Sequence, residues 1–132
     1  MRIATHYHED NVLSNLYSVV HEGGHALYEL GVAEEYQGTL LSGGSSMSIH
    51  ESQSRFYENL IGRSRPFCEV LLPELKALFP EQLAGVDAEK LYRAANLSEP
   101  SLVRTEADEL TYSIHVMIRY EIEKLMISGD VK

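Results

Sequence analysis

Residues 18–30 read SVVHEGGHALYEL, and the way this stretch folds decides the rest of the reading. Apolar residues Leu13, Leu16, Val20, Leu27 and Leu30 recur at helical spacing from about Asn11 onward, and Gly31 is placed to end the helix. Two adjacent glycines, Gly23 and Gly24, interrupt this pattern. Each costs an interior helix position roughly 1 kcal/mol relative to alanine, so a compensating use is expected. At about 100° per residue, Leu16, Val19, Val20, Gly23, Leu27 and Leu30 fall on one side, and His21, Glu22, His25 and Glu29 on the other. The glycines thin the apolar side and its flank, which lets a neighbouring backbone come close.

On the polar side His21 and His25 are one helical turn apart, so both imidazoles can reach one ion, and Glu22 lies beside them. This is the H-E-x-x-H arrangement, in which two neutral imidazoles hold zinc and the carboxylate takes a proton from the attacking water. The pattern is short and recurs in unrelated chains, so the alternative is a solvated helix face with two histidines. Its place on an amphipathic helix, away from the apolar stripe, favours the metal.

A catalytic zinc usually takes three protein groups. The extended pattern H-E-x-x-H-x-x-G-x-x-H is excluded, because Tyr28 and Gly31 stand where it requires glycine and histidine. The other common solution is a glutamate on a following helix, and Glu51 in SIHESQSRFYEN is the first such residue after the intervening loop. Two other uses compete for Glu51. With Ser48 it fits an S-x-x-E capping box, and with Arg55 and Glu58 it shares a polar face that an ordinary ion pair would explain. His50 beside it backs a metal ligand, contacts substrate or is a packed histidine.

Around this centre the chain reads as mainly helical. QGTLLSGGSSMS (37–48) suits an edge strand or extended segment followed by a loop. Ser48 caps a second helix running to about Gly62, and Pro66 opens a third that Pro73 kinks or divides. Asp87 caps a short helix through Asn96, SLVRT (101–105) is extended, and a last helix spans about Glu106 to Ile127. That helix carries apolar residues on two faces and is expected to be buried on more than one side.

Composition narrows the partners. The 132 residues carry 11 basic and 20 acidic side chains, a formal charge of −9, which repels a polyanion, so nucleic acid is not expected to bind. No apolar run approaches the 18 or more residues of a membrane span, and no secretory signal opens the chain. The single cysteine, Cys68, excludes an internal disulfide and is expected to be a small buried hydrophobe; a reducing cytoplasm fits. His6, His8 and His115 lack ligand spacing, and Tyr28 and Tyr112 stay open as oxyanion donors among eight tyrosines.

Three segments in this order, HEGGH (21–25), HESQ (50–53) and VRTEAD (103–108), resemble the carboxypeptidase Taq family of thermostable zinc metallocarboxypeptidases. The likeness extends through GGHALYE, HESQSRFYEN and RTEADELTY and covers essentially the whole chain. It implies that His21, His25 and Glu51 hold zinc and that Glu22 is the general base. It also implies that His50 lies near the substrate and that Arg104, in the R-x-x-A-D segment with Ala107 and Asp108, recognises the peptide's terminal carboxylate, which a guanidinium can grip bidentately. A purely structural Arg104–Asp108 pair is the alternative there. Of the family's D-x-R-x-T segment only Arg2 remains, with Ala4 at the threonine position, and the later G-x-x-Q-D-x-H-W segment has no counterpart.

The family's members are several hundred residues long, mainly helical, with a deep cleft, and usually homodimeric. The expectation is therefore one zinc-site segment over 1–132, a helical bundle-like fragment of a zincin-type peptidase with at most a short strand or hairpin. Its parent activity is release of C-terminal amino acids from peptides. Zinc is the expected ion, with another divalent ion such as cobalt able to replace it, since affinity order alone does not select the metal. A metal-binding or interaction module without catalysis is the rival reading, and an endopeptidase with the same zinc helix is a third, disfavoured by Arg104.

Overall fold

The computed structural model describes residues 2–5 and 7–131; His6 lies outside them. Among the described residues five α-helices carry the fold: α1 (Val12–Leu30), α2 (Met47–Arg55), α3 (Arg65–Leu78), α4 (Ala88–Ala95) and α5 (Glu109–Ser128). A π-helical turn, Phe56–Gly62, continues α2, and short 3-10 turns occupy Glu34–Tyr36 and Arg104–Glu106. No strand occurs among the described residues. The expected edge strand over 37–48 is instead a run of turns, in which Thr39 N–H donates to the Tyr36 carbonyl at 3.1 Å and Ser42 N–H to that of Thr39 at 3.2 Å. With no partner strand alongside, local turns are what satisfy this backbone.

Side-chain caps fix where the helices begin, because the first turn's N–H groups lack partners within the helix. Asn11 accepts from Ser14 N–H, Ser64 from Phe67 N–H and Asp87 from Lys90 N–H. For α2 the cap is Ser46, not Ser48: its hydroxyl accepts from Ile49 N–H at 3.3 Å. The S-x-x-E capping box over 48–51 is therefore not formed, and the Glu51 carboxylate is available for another use. Asp108 caps α5, which starts at Glu109 and not at Glu106. Pro73 neither breaks nor divides α3, which runs unbroken with that ring on its exposed side and Leu72 and Leu75 buried.

The chain divides into two compact units, 1–95 and 96–132. In the first, α1 packs on α2 and the π turn, while α3 packs on α4. Tyr17, Cys68, Leu72, Leu75, Leu91 and Ala95 form its buried core; Cys68, fully enclosed, is the small hydrophobe expected. The Arg63 guanidinium lies 4.2 Å from the centre of the Tyr17 ring and donates to the Ala95 carbonyl at 2.6 Å, which ties α4 to the end of the π turn.

Two expectations about faces are corrected. The side of α1 turned inward carries Tyr17, His21 and Gly24, while Val19, Leu27 and Leu30 are 46%, 51% and 70% exposed. Tight backbone contact and polar pairing outweigh the apolar stripe in seating this helix. In the second unit, α5 has no buried residue, and Leu110, Met117 and Ile127 are exposed. Its two apolar faces, read as burial on more than one side, are uncovered in this chain.

Candidate metal centre

Close approach of α2 to α1 builds the site. A β-carbon added to Gly24 would stand 2.7 Å from the Ser54 Cα and 3.0 Å from the Gln53 carbonyl oxygen, so only glycine lets the two backbones touch here. Gly23 meets nothing within 4 Å, so the expected close packing belongs to one glycine of the pair. The consequence is positional. With the helices in contact at Gly24 and Ser54, Glu51 lies opposite the turn of α1 that holds His21 and His25.

One carboxylate oxygen of Glu51, Oε2, sits 3.5 Å from His21 Nε2 and 3.4 Å from His25 Nε2. Ligand atoms of the three residues all lie within 4.8 Å of one another. A tetrahedral zinc with bonds of about 2.0–2.1 Å holds its ligand atoms roughly 3.3–3.4 Å apart, which the two Glu51–histidine separations match. Two imidazoles and one carboxylate also form the three-ligand set that leaves a fourth position open.

Each histidine is held from behind through its other ring nitrogen. His21 Nδ1 is 2.9 Å from Glu58 Oε2, a carboxylate–imidazole pair of the kind that fixes tautomer and ring orientation at metal sites. Glu58 is only 8% exposed and takes further hydrogen bonds from Arg55 Nη1 and Arg63 Nη2. Burial pushes its carboxyl up, but the bonds from His21, Arg55 and Arg63 outweigh this and hold it below its ordinary value. The same Glu58 hydrogen bond raises the His21 imidazole.

His25 is backed by a longer chain. Its Nδ1 is 2.7 Å from His50 Nδ1, and His50 Nε2 is 2.7 Å from Glu29 Oε1. The hydrogen bond from His50, followed by that from the Gly44 N–H, lowers the Glu29 carboxyl. Gly44 closes this corner tightly: an added β-carbon would stand 2.8 Å from both His50 Cδ2 and Tyr28 Cε1. Both ring nitrogens of His50 are thus engaged. The Tyr28 hydroxyl is 3.4 Å from the Ser45 Oγ and accepts from the Ser45 N–H. A neighbouring depression of about 320 Å³, lined by Leu27, Tyr28, Gln53 and Tyr57 among others, includes none of the three candidate ligands.

Other expected site residues are placed as follows. Glu22 follows His21 on α1 and is partly exposed. Arg2 is exposed in the segment before α1. Arg104 lies in the 3-10 turn of the second unit, where Nη1 donates to the Tyr112 hydroxyl at 2.6 Å. It does not pair with Asp108, which accepts from the Leu110 and Thr111 N–H groups and the Ser98 hydroxyl. Although burial raises the Asp108 carboxyl, these bonds hold it far below the usual range. Sequence reasoning passed over Glu29, Glu58 and Arg63 as site residues. Spacing offered a signal for two of them, since Glu29 is one turn beyond His25 and Glu58 two turns beyond Glu51.

Fold and site together define an all-helical chain, among the described residues, with a three-donor candidate metal centre. The chain belongs to the carboxypeptidase Taq (M32) metallopeptidase family, whose pattern matches residues 1–132. It is 45% identical over 131 residues to carboxypeptidase 1 of Bacillus subtilis, covering 99% of this chain and 26% of that protein. Thermostable carboxypeptidase 1 of Pyrococcus furiosus is 44% identical over 132 residues, again with 26% of its length covered. Among solved structures, the M32 carboxypeptidase of Deinococcus radiodurans superposes with a TM-score of 0.92 at 51% identity, over 96% of this chain and 26% of that one. The chain thus spans about a quarter of the length of these relatives.

Proposed function

We propose that this chain forms the zinc-holding part of a metallocarboxypeptidase that releases amino acids one at a time from peptide C-termini. The observation that carries the reading is the convergence of His21 Nε2 and His25 Nε2 on one oxygen of Glu51, 3.4–3.5 Å away. His21, His25 and Glu51 would hold the ion, and cobalt would be accepted by the same donors. When bound, it supplies Lewis acidity toward the last peptide carbonyl and lowers the pKa of water.

The chain's own residues do the rest. Glu22 takes the proton lost by water as its oxygen bonds to the carbonyl carbon, then gives that proton to the amine nitrogen as the C–N bond breaks. Glu58 and the His50–Glu29 pair keep the two imidazoles aimed, so His50 acts on the reaction through His25. Arg104 is assigned the terminal carboxylate of the peptide, and Arg2 a supporting contact with substrate. A water-excluding cleft is needed for such electrostatics to act strongly, so residues 1–132 alone are expected to show slight turnover. Activity of the whole protein, its cytoplasmic setting and assembly as a homodimer belong to the same proposal.

The test is bound zinc per chain after purification without chelator. One equivalent in the unaltered chain, weakened in Glu51→Ala, is expected; no bound zinc overturns the assignment. Where turnover is measured, Glu22→Gln should lower kcat by roughly 10²- to 10⁴-fold without removing the metal. Equal cleavage of free-acid and C-terminally amidated peptides would overturn the exopeptidase mode.

A further inference from the structure

Glu51 has two oxygens, and the structure treats them differently. Oε2 faces both imidazole Nε2 atoms and accepts from the Ser54 hydroxyl at 3.1 Å. Oε1 accepts from Arg55 Nε at 3.1 Å. The same guanidinium donates through Nη1 to Glu58 Oε2 at 3.2 Å, the very oxygen that faces His21 Nδ1 at 2.9 Å. A closed ring results: His21, Glu58, Arg55, Glu51 and back to His21.

We propose that Arg55 is a positioning residue that fixes Glu51 as a single-oxygen ligand, occupying Oε1 so that only Oε2 reaches the ion. The inference rests on the metal-site reading above. Its physical basis is the guanidinium fork, whose fixed donors occupy lone pairs on two carboxylates at once and resist rotation of either. Because Arg55 is only one turn from Glu51 on the same helix, the arrangement is local and pre-set by α2. A carboxylate free to turn could offer both oxygens and raise the coordination number, filling the position that water and substrate require. Arg55 also pairs its charge with both carboxylates, and Arg63 adds a second guanidinium to Glu58.

Cobalt(II) in place of zinc reports coordination number directly, because four-coordinate cobalt absorbs severalfold more strongly in its d–d bands than five-coordinate cobalt. The unaltered chain loaded with one equivalent of cobalt is expected to give the intense four-coordinate spectrum. Arg55→Met should still bind cobalt, with d–d absorption reduced severalfold. An unchanged spectrum in Arg55→Met overturns the proposal, as does a five-coordinate spectrum in the unaltered chain. If far-UV circular dichroism shows Arg55→Met to be unfolded, Arg55→Gln, which also lacks the fork, is judged by the same criterion. Failure of the unaltered chain to bind cobalt or zinc at all instead sinks the metal site itself, and this inference with it.

Discussion

At the scale of single residues, Gly23 and Gly24 look alike in sequence and differ in use. Gly24→Ala would drive a methyl group into the Ser54 and Gln53 backbone, which cannot swing aside as a side chain can. A loss of about 1–3 kcal/mol is expected from such overpacking, together with weaker zinc binding as α2 is pushed away. Gly23→Ala meets open space and should stabilise the chain by roughly 0.5–1 kcal/mol through helix propensity. Denaturant midpoints of the two variants, moving in opposite directions, check the pair. Glu58 supports a second expectation at this scale. Glu58→Gln keeps the shape but removes the charge behind His21, and should weaken zinc by roughly 10- to 100-fold, read by competition with a chelator of known affinity.

At the scale of elements, caps and turn geometry decide what each helix delivers. The sequence puts the cap at Ser48 and the structure puts it at Ser46, and those two residues separate a Glu51 spent on its own helix start from one free to face α1. Ser46→Ala should cost about 1 kcal/mol of stability and Ser48→Ala almost nothing; thermal unfolding of the two variants discriminates them, and the reverse order would restore the capping box. The π turn over Phe56–Gly62 is invisible to a periodicity of 3.6 residues, yet it carries the buried Glu58 to His21 and ends at Gly62, whose carbonyl receives the Tyr17 hydroxyl at 3.3 Å. Wide turns of this kind recur at functional sites. Pro73 was legible as a helix breaker by the general rule, but an exposed position within a helix whose neighbouring residues are buried lets α3 pass through it.

At the scale of the whole molecule, Tyr17 links α1, the π turn and α3. Its burial, followed by the nearby Cys68, pushes the phenol from an ordinary 10.0 up to about 12. The folded chain therefore favours the neutral phenol more than the unfolded chain does. The stability this provides is complete below pH 10 and is lost as pH rises through 10 toward 12, amounting to about 2–3 kcal/mol by linkage. Phenolate absorbance should show one of the eight tyrosines ionising late, and Tyr17→Phe should abolish that late step. If Tyr17 instead ionised with the others, the burial assigned to it would be wrong. The exposed apolar residues of α1 and α5 belong to this scale as well. The chain spans about 26% of the length of its relatives, and the apolar residues Leu27, Leu30, Leu110, Met117 and Ile127 are exposed within it.

The sequence by itself determined the helical class and put His21, Glu22 and His25 on one polar side of a helix, because i, i+4 spacing fixes which groups share a face; for Glu51 spacing left a cap, a surface pair and a metal ligand open, and the family resemblance favoured the last. It also carried the family membership, through three linked motifs. Only the tertiary structure decided which side of α1 turns inward, which glycine admits a neighbouring backbone, which serine caps α2, and that Glu58, Arg55 and the His50–Glu29 pair brace the ligands. Those outcomes depend on the distance between two helices. That distance is set where Gly24 meets Ser54, a contact across 30 residues that no local periodicity encodes.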